Sequence, residues 1–311
     1  MVIFMKIQLG YACVSKTIEQ TTSSPFTYTE FLKTKNFDKL NQVILSNLYA
    51  LNELINYNIK NNIHFFRLSS KIIPLATKDD VKFDYITPYQ KIYNEIGKKI
   101  NNYDMRVDFH PDQFCVLNST RKEVLENTIE ILTYHYNLLE ALNVKNKILV
   151  LHIGSSTFGK EKSKTRFINN FQKLPKKIQD CIAIENDDKI FNLQDCLDIY
   201  HKIHVPIVFD AHHHRCNPCN ISLIDIFNTW DTKPKMHYSS PKNKTKKDFR
   251  SHHNYINSEE FIELINSIKN YQKDIDIMIE AKGKDEALFK LVRELKYKTN
   301  YNFIDETSFI I

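Results

Sequence analysis

The stretch IAIENDDKIFNLQDCLDIYHKIHVPIVFDAH (182–212) indicates the fold class of this chain. It begins with an apolar run at 182–186, continues through a segment at 192–203 in which apolar residues recur every three or four positions, and ends with a second apolar run at 206–212. Short apolar runs on either side of a helical period are typical of a β-α-β unit. The stretch therefore predicts two neighbouring parallel strands joined by a helix.

The same alternation continues in both directions and gives eight strand–helix repeats. The predicted strands are 6–11, 64–69, 106–110, 148–153, 182–186, 206–212, 235–239 and 275–281. The predicted helices are 38–60, 88–102, 121–142, 161–173, 192–203, 220–230, 258–269 and 284–297. Eight repeats predict an α/β fold, a single (β/α)8 TIM barrel spanning 1–311, for which about 250 residues is typical. An open doubly wound sheet is the alternative, but the sequence lacks the glycine-rich phosphate turn of that fold.

Composition excludes several classes of protein. The 311 residues are 42% hydrophobic and 26% charged, as in globular proteins. Because the apolar start of the chain is short and broken by Lys6 and Gln8, we expect no signal peptide and no membrane span. Six cysteines are too sparse for a secreted disulfide framework and suit a reducing, cytoplasmic location. The net charge of +6 permits a polyanionic partner without requiring one.

Polar residues fall at the carboxyl ends of the predicted strands. They are Tyr11, Arg67, His110, His152, Glu185, Asp210 with His213 just beyond, His237 and Glu280. In a barrel these ends share one face, which carries the active site. Histidine, aspartate and glutamate supply the nitrogen and oxygen donors that suit manganese, zinc or iron. The pattern therefore predicts a multinuclear metal site on this face.

Each of these residues also has a structural interpretation when taken alone. His152 could be a buried structural histidine, and Glu185 or Glu280 a buried carboxylate paired with a basic residue. Such residues stand at six of eight strand ends while the strand interiors stay apolar, and this joint pattern favours the metal site. His252, in the loop after the seventh strand, is a further candidate ligand, but the adjacent His253 leaves the choice open.

Two further features lie on the same predicted face. Cys216 and Cys219 form a C-x-x-C that could hold zinc or act in redox chemistry. No second Cys or His pair follows at zinc-module spacing, so we favour a loop in which Pro218 begins a helix and the thiols are incidental. The basic run KNKTKKDFR (242–250) is either a solvated loop or a contact for phosphates.

Several motifs in one order resemble those of the ultraviolet damage endonucleases, DNA-repair enzymes of the endonuclease IV-like barrel group. The motifs cover almost the whole chain: LGYACVSKT (9–17), RLSSKIIPLAT (67–77), HPDQF (110–114), LHIGSSTFG (151–159), IENDDK (184–189), VFDAHHH (208–214), KMHYSSPK (235–242), RSHHNYI (250–256) and MIEAKGKD (278–285). Any one of these motifs would be a weak signal, whereas the ordered set is specific.

The resemblance implies a cluster of two or three manganese-type ions. The family's ligand positions correspond to His110, His152, Glu185, Asp210, His213, His237, His252 and Glu280. Lys235 matches a lysine that can be covalently modified near the metals, and with Glu185, Glu280 and His237 we take it as catalytic. The family's lesion-probing glutamine and tyrosine correspond to Gln113 and Phe114, so the tyrosine hydroxyl is missing here. Tyr11 and Arg67 match residues expected near the lesion or the scissile phosphate.

The expected function is therefore metal-dependent hydrolysis of the phosphodiester bond immediately 5′ to ultraviolet photoproducts. Metal ions suit this reaction because they activate water and neutralise phosphate charge. The expected partner is damaged double-stranded DNA, with Mn²⁺ as cofactor, no nucleotide cofactor, no membrane and a monomeric enzyme. The alternatives are an abasic-site endonuclease, a sugar isomerase of similar architecture, or a non-catalytic damage-binding module. Gln113, Phe114 and Lys235 argue against the first two.

Overall fold

Eight parallel strands form the ring that the sequence predicts. The computed structural model describes residues 4–78, 80–245 and 247–311, so Lys246 of the basic run and the first three residues of the chain lie outside the described ranges. The strands are β1 (Lys6–Ala12), β2 (Phe65–Arg67), β3 (Arg106–Asp108), β4 (Leu149–His152), β5 (Ile182–Glu185), β6 (Ile207–Asp210), β7 (Lys235–Tyr238) and β8 (Ile275–Ile279). The sheet order runs from β3 through β2, β1, β8, β7, β6 and β5 to β4. A parallel bridge between Phe109 and Leu149 closes the ring, which confirms the TIM barrel.

A helix lies near each predicted place along the chain. The helices are α1 (Tyr28–Thr34), α2 (Phe37–Lys60), α3 (Gln90–Asn102), α4 (Lys122–Ala141), α5 (Lys160–Phe171), α6 (Lys176–Gln179), α7 (Leu193–Ile203), α8 (Ala211–Cys216), α9 (Leu223–Phe227), α10 (Ser258–Ile268) and α11 (Lys284–Lys298). Three of them, the short helices α1, α6 and α8, were not predicted. Local signals explain their starts: Asn192 and Asp195 form a capping box at α7, and the Asn36 side chain accepts from the Lys39 amide at α2. None of the helices in the described ranges is long and apolar enough to cross a membrane.

The predicted helix at 220–230 is present but shorter, whereas the predicted role of Pro218 as the start of a helix was wrong. Only Leu223–Phe227 is helical there, whereas an unpredicted helix, α8, begins directly after β6. Asp210 starts α8 because its side chain accepts a hydrogen bond from the His213 amide at 2.7 Å. Pro218 follows the end of α8 at Cys216, a place where proline commonly stops a helix.

Side chains along each strand alternate between two buried regions, the space between the strands and the helices and the inside of the ring. One set, which includes Ile7, Leu9 and Tyr11 of β1, packs among the helices in the main core. The other set faces the inside of the ring, where it forms two small apolar clusters. The strand residues are Val150, Ala183 and Val208 in one cluster, which Trp230 joins from the segment after α9, and Ala12, Phe65 and Met278 in the other. Residues two positions beyond these in β2, β4, β5, β6 and β8 therefore point inward at the carboxyl rim.

Two short strands at the end of the chain were not predicted. β9 (Asn302–Phe303) and β10 (Ser308–Ile310) form an antiparallel pair, and β10 adds to the amino-terminal half of β1. Pairing runs from Lys6 opposite Ile310 to Gln8 opposite Ser308, whereas β2 pairs with β1 only from Gly10 onward. β10 thus supplies partners for the β1 backbone where β2 does not reach.

Candidate metal centre

The inward-facing residues at the carboxyl rim form three adjoining groups of metal-donor atoms. Within each group the donor atoms lie within 4.8 Å of one another. The groups are His110, His152 and Glu185; Glu185, Asp210 and His213; and Asp210, His237 and Glu280. Because Glu185 and Asp210 each belong to two groups, the three form one continuous cluster. The barrel thus brings together seven of the eight predicted ligands.

Glu185 lies at the centre of this cluster. Its Oε2 is 2.7 Å from Nε2 of His110 and 3.7 Å from Nε2 of His152, and its Oε1 is 2.9 Å from Nδ1 of His237. Burial alone would raise the pKa of a carboxyl, but the surrounding histidines, His237 foremost, hold the pKa of Glu185 well below its ordinary value. Glu185 is therefore a carboxylate with donor atoms facing two sides of the site.

Of the two carboxylate oxygens of Asp210, one accepts a hydrogen bond and the other has no hydrogen-bond partner among the described residues. The first is Oδ1, which caps α8, and the second is Oδ2, which is buried. Asn186 fixes the backbone here, accepting from the Asp210 amide at 2.9 Å and donating to its carbonyl at 3.0 Å. Burial raises the pKa of Asp210 to about 7, against the opposing effect of His213. A buried oxygen without a partner, close to other carboxylates, is the environment that a bound cation would stabilise.

The structure distinguishes His252 from His253. Nδ1 of His252 is 4.0 Å from Oε2 of Glu280, and its ring lies beside those of His212 and His213. His253 is exposed and forms hydrogen bonds with Tyr255 instead. His252 therefore faces the cluster at its edge, although it belongs to none of the three groups.

Arg67 lies inside the cluster. Its Nη1 donates to Oε1 of Glu280 at 2.6 Å, and its Nη2 lies 2.8 Å from Nε2 of His237. Burial would raise the pKa of Glu280, but Arg67 lowers it below its ordinary value. Only 7% of the Arg67 surface is exposed. In this structure the guanidinium binds carboxylates of the site, and a DNA phosphate could reach it only if the side chain moved.

Lys235 lies directly below the rim, next to a residue that the sequence analysis missed. Its Nζ donates to Oδ2 of Asp108, and both side chains are fully buried. Burial lowers the pKa of Lys235 to about 8, although Asp108 acts in the opposite direction. The strand alternation could have identified Asp108, because in RVDFH it shares a face with His110 two positions later.

The chemistry of these donors fits a cluster of divalent cations. Three carboxylates and several imidazoles converge within a few ångströms, one carboxylate oxygen lacks a partner, and nitrogen and oxygen donors suit Mn²⁺, Zn²⁺ or Fe²⁺. Neither Cys216 nor Cys219 belongs to any of the three groups within the described ranges. The Sγ atom of Cys216 lies 3.9 Å from Nε2 of His212, which is not a member of these groups either.

Comparison with known proteins identifies the family. The family model described as "UV-endonuclease UvdE" matches residues 7–308. The chain belongs to the UV-endonuclease UvdE family. Curated relatives named "UV DNA damage endonuclease" from Bacillus cereus (strain B4264) and Bacillus mycoides (strain KBAB4) are each 38% identical, and each match covers 94% of this chain and 95% of the relative.

Solved structures agree with this membership of the UvdE family. The crystal structure of SacUVDE matches with a TM-score of 0.86 and 33% identity, over 94% of this chain and 98% of that chain. Endonuclease IV from Thermus thermophilus matches with a TM-score of 0.56 and 10% identity, over 94% of this chain and 100% of that chain. At this low identity the second match concerns the fold alone, and it agrees with a TIM barrel.

Tyr11 of this UvdE-family chain is not at the rim, contrary to expectation. It is fully buried on the helix-facing side of β1, where its hydroxyl donates to Oδ1 of Asn58 in α2 at 2.8 Å. The reason is strand alternation: Ala12, and not Tyr11, is the residue of β1 that pairs with Arg67 and faces inward. In this structure Tyr11 anchors α2 to the barrel and is not accessible to DNA.

Gln113 and Phe114 of the UvdE-family chain are exposed on the loop after β3. Phe114 exposes 68% of its surface, so its ring is not part of the core. Two features fix this turn: the Phe114 amide donates to the Asp112 side chain at 2.8 Å, and the side chain of the adjacent Cys115 is buried. The loop thus presents the pair to solvent, three and four residues beyond His110.

Proposed function

We propose that this protein is a metal-dependent DNA-repair endonuclease that hydrolyses the phosphodiester bond immediately 5′ to ultraviolet photoproducts, including cyclobutane dimers and 6-4 products. Two observations support the proposal: membership of the UvdE family and the convergence of carboxylates and histidines at the barrel rim. The second carries most weight for metal dependence, because a convergence of buried carboxylates and imidazoles at the active-site end of a barrel is typical of a functional site.

The proposed ligands are the eight that the resemblance implies. They are His110, His152, Glu185, Asp210, His213, His237, His252 and Glu280. Three adjoining donor groups are compatible with two or three ions, with Mn²⁺ our preferred identity. When bound, such ions would supply positive charge to the phosphate oxygens and acidify a water molecule.

The protein's own residues would orient that site. Glu185 and Asp210 each face two donor groups and would fix the spacing between them. Glu280 and His237 would be held in place by Arg67, and Lys235 by Asp108. We propose Lys235, Glu185, Glu280 and His237 as the catalytic set, with Asp108 and Arg67 as positioning residues.

Gln113 and Phe114 are the proposed sensors of damage. A photoproduct stacks and pairs poorly, so extruding it from the duplex costs less free energy than extruding normal bases. Phe114 offers an exposed ring that can stack on the bases left behind, and Gln113 can form hydrogen bonds with their edges. Selectivity would then arise from the deformability of the lesion and not from base sequence.

An end-labelled duplex with a single cyclobutane dimer tests the proposed cleavage position. We expect one product in the presence of Mn²⁺, ending at the phosphodiester bond immediately 5′ to the dimer, and none from the matched undamaged duplex. Cleavage elsewhere, or equal cleavage of both duplexes, would contradict the proposal.

A further inference from the structure

A second exposed phenylalanine lies on the rim loop adjacent to that of Phe114. Phe158 exposes 73% of its surface, slightly more than the 68% of Phe114. It follows His152 of β4 by six residues, and Phe114 follows His110 by four, after β3. Because β3 and β4 are neighbours at the closure of the barrel, both aromatic rings belong to adjacent loops on the face that carries the metal-donor cluster.

The backbone at Phe158 is in a conformation that phenylalanine disfavours. Its φ is +65°, in the left-handed region where the Cβ atom crowds the backbone. Gly159, which follows at φ +98°, adopts such a conformation readily and caps α5. A bulky exposed side chain in this conformation costs stability and gains no burial in return, which is typical of positions kept for function.

The loop that holds Phe158 is fastened to the loop of Phe114. Asn118, fully buried, donates to the Ser155 carbonyl at 2.7 Å and accepts from the Ser155 amide at 3.1 Å. Arg166 of α5 joins the same two loops, donating from Nε to the Asn118 carbonyl at 2.9 Å and from Nη2 to the Thr157 carbonyl at 2.6 Å.

The close approach of these two loops also restricts Gly154. A Cβ atom added there would lie 2.5 Å from Oδ1 of Asn118. The two aromatic residues are therefore carried by one connected support and not by two independent loops.

We propose that Phe158 is a second aromatic contact for DNA, stacking on a nucleobase that the damaged duplex leaves unpaired. This inference rests on the proposed function. Every base has a π face, so a ring fixed at the rim can bind an unstacked base regardless of sequence. Normal duplex offers no such face, so Phe158 contributes to the preference for damaged DNA and not to affinity for the phosphate backbone.

Substitution of Phe158 by glycine provides the sharpest test. Glycine removes the ring and at the same time relieves the backbone conformation, so Phe158→Gly should unfold at the wild-type temperature or higher. Its affinity for a duplex with a single cyclobutane dimer should fall roughly tenfold, while affinity for the undamaged duplex stays unchanged. Fluorescence anisotropy with EDTA present measures both affinities on uncut DNA.

Two further variants separate the ring from other effects. Phe158→Tyr keeps the stacking face and should retain the wild-type preference. Tyr297→Ala removes a side chain that is 90% exposed in the last turn of α11, at the opposite end of the barrel, and should change neither affinity.

The outcomes distinguish this inference from the proposed function. If the wild-type protein prefers damaged DNA and Phe158→Gly keeps that preference, the role of Phe158 is refuted and the proposed function stands. A loss of melting temperature together with equal losses of both affinities would make Phe158 structural, which also refutes the inference. If the wild type does not discriminate between the two duplexes, the proposed damage recognition fails as well.

Discussion

Arg67 and Glu280 form a largely buried ion pair at the inner rim of the barrel, with Nη1 of the guanidinium 2.6 Å from Oε1 of the carboxylate. The pair joins β2 to the end of β8 across β1, and it places a permanent positive charge among residues that are candidates for binding cations. In the protein without metal, Arg67 therefore offsets part of the repulsion between Glu280 and Glu185.

Removal of the Arg67 charge should destabilise the metal-free protein. Arg67→Met leaves the largely buried Glu280 without its cation and leaves Asp108 with Lys235 alone, and we expect a loss of about 3 to 5 kcal/mol in the free energy of unfolding with EDTA present. Added Mn²⁺ should restore part of this loss, because a bound cation replaces the missing charge. Urea unfolding with and without Mn²⁺ measures both effects.

The control for Arg67 is Arg121→Met, which removes an arginine whose side chain is 74% exposed. We expect a change within about 0.5 kcal/mol for this variant. Equal losses for the two variants, or no restoration of Arg67→Met by Mn²⁺, would contradict the account of Arg67.

Removal of a proposed ligand should abolish metal binding and activity without unfolding the barrel. For His110→Ala and Glu280→Gln we expect at least about a hundredfold lower nicking of irradiated DNA and fewer bound ions per chain. Metal analysis after dialysis, together with circular dichroism, separates loss of metal from loss of fold. His253→Ala is the matched control, since His253 is exposed, is hydrogen-bonded to Tyr255 and belongs to none of the three donor groups. Near-wild-type nicking by metal-loaded Glu280→Gln would refute the ligand assignment.

The double variant Cys216→Ser, Cys219→Ser should keep its metal and its activity. The three donor groups consist of histidine, aspartate and glutamate, so thiols are not needed for the cluster. We expect stability within about 1 kcal/mol of wild type and an unchanged number of bound ions. A drop in the metal content of the double variant would restore the interpretation of the C-x-x-C as a zinc site.

Phe114→Ala should weaken binding to irradiated duplex by roughly one to two powers of ten at fixed salt, because it removes a stacking face. Binding to undamaged duplex, which depends on phosphate contacts, should change little. The melting temperature should stay constant, since the ring is mostly exposed. An unchanged preference for damaged DNA in this variant would exclude Phe114 as a sensor.

The buried His135 should make the protein less stable in mild acid. Burial lowers the pKa of this α4 histidine from 6.5 to about 4, and its Nδ1 lies 2.7 Å from the Ile131 carbonyl. Below pH 6.5 His135 is protonated in the unfolded chain but stays neutral in the folded protein, so the free energy of unfolding falls as the pH approaches 4. At pH 5 the loss from this residue is ~2 kcal/mol relative to neutral pH.

His135→Phe should reduce that pH dependence, whatever its effect on stability at neutral pH. Unfolding free energies of both proteins at about pH 7.5 and about pH 5 give the comparison. If the difference between the two pH values is the same in wild type and variant, His135 is not responsible for it.

The sequence was sufficient to predict the barrel and most of the candidate cluster. Apolar runs alternating with helical periods define the repeats, and barrel geometry then requires that strand ends meet on one face. His110, Glu185 and Asp210 could be placed together in this way because Glu185 and Asp210 end clearly bounded strands and His110 closely follows one.

The errors came from features that depend on strand alternation and caps. Tyr11 ends an apolar run and was therefore predicted at the rim, but it lies on the face of β1 that points toward α2. Asp108 was overlooked as part of a strand interior, although strand alternation points it inward toward Lys235. The start of α8 directly after Asp210 was missed because Asp210 is both the N-cap of this helix and a candidate metal ligand. Periodicity could not choose between His252 and His253; the family resemblance points to His252, and the loop geometry places that histidine beside Glu280.

The most direct test of the central claim is the nicking of supercoiled plasmid by the purified wild-type protein. Irradiated and unirradiated plasmid would be incubated with Mn²⁺ or with EDTA, and the conversion to open circles measured on a gel. We predict rapid conversion of irradiated plasmid with Mn²⁺, and background conversion in the other three reactions. Equal nicking of unirradiated plasmid, or nicking of irradiated plasmid that persists in EDTA, would contradict a metal-dependent ultraviolet damage endonuclease.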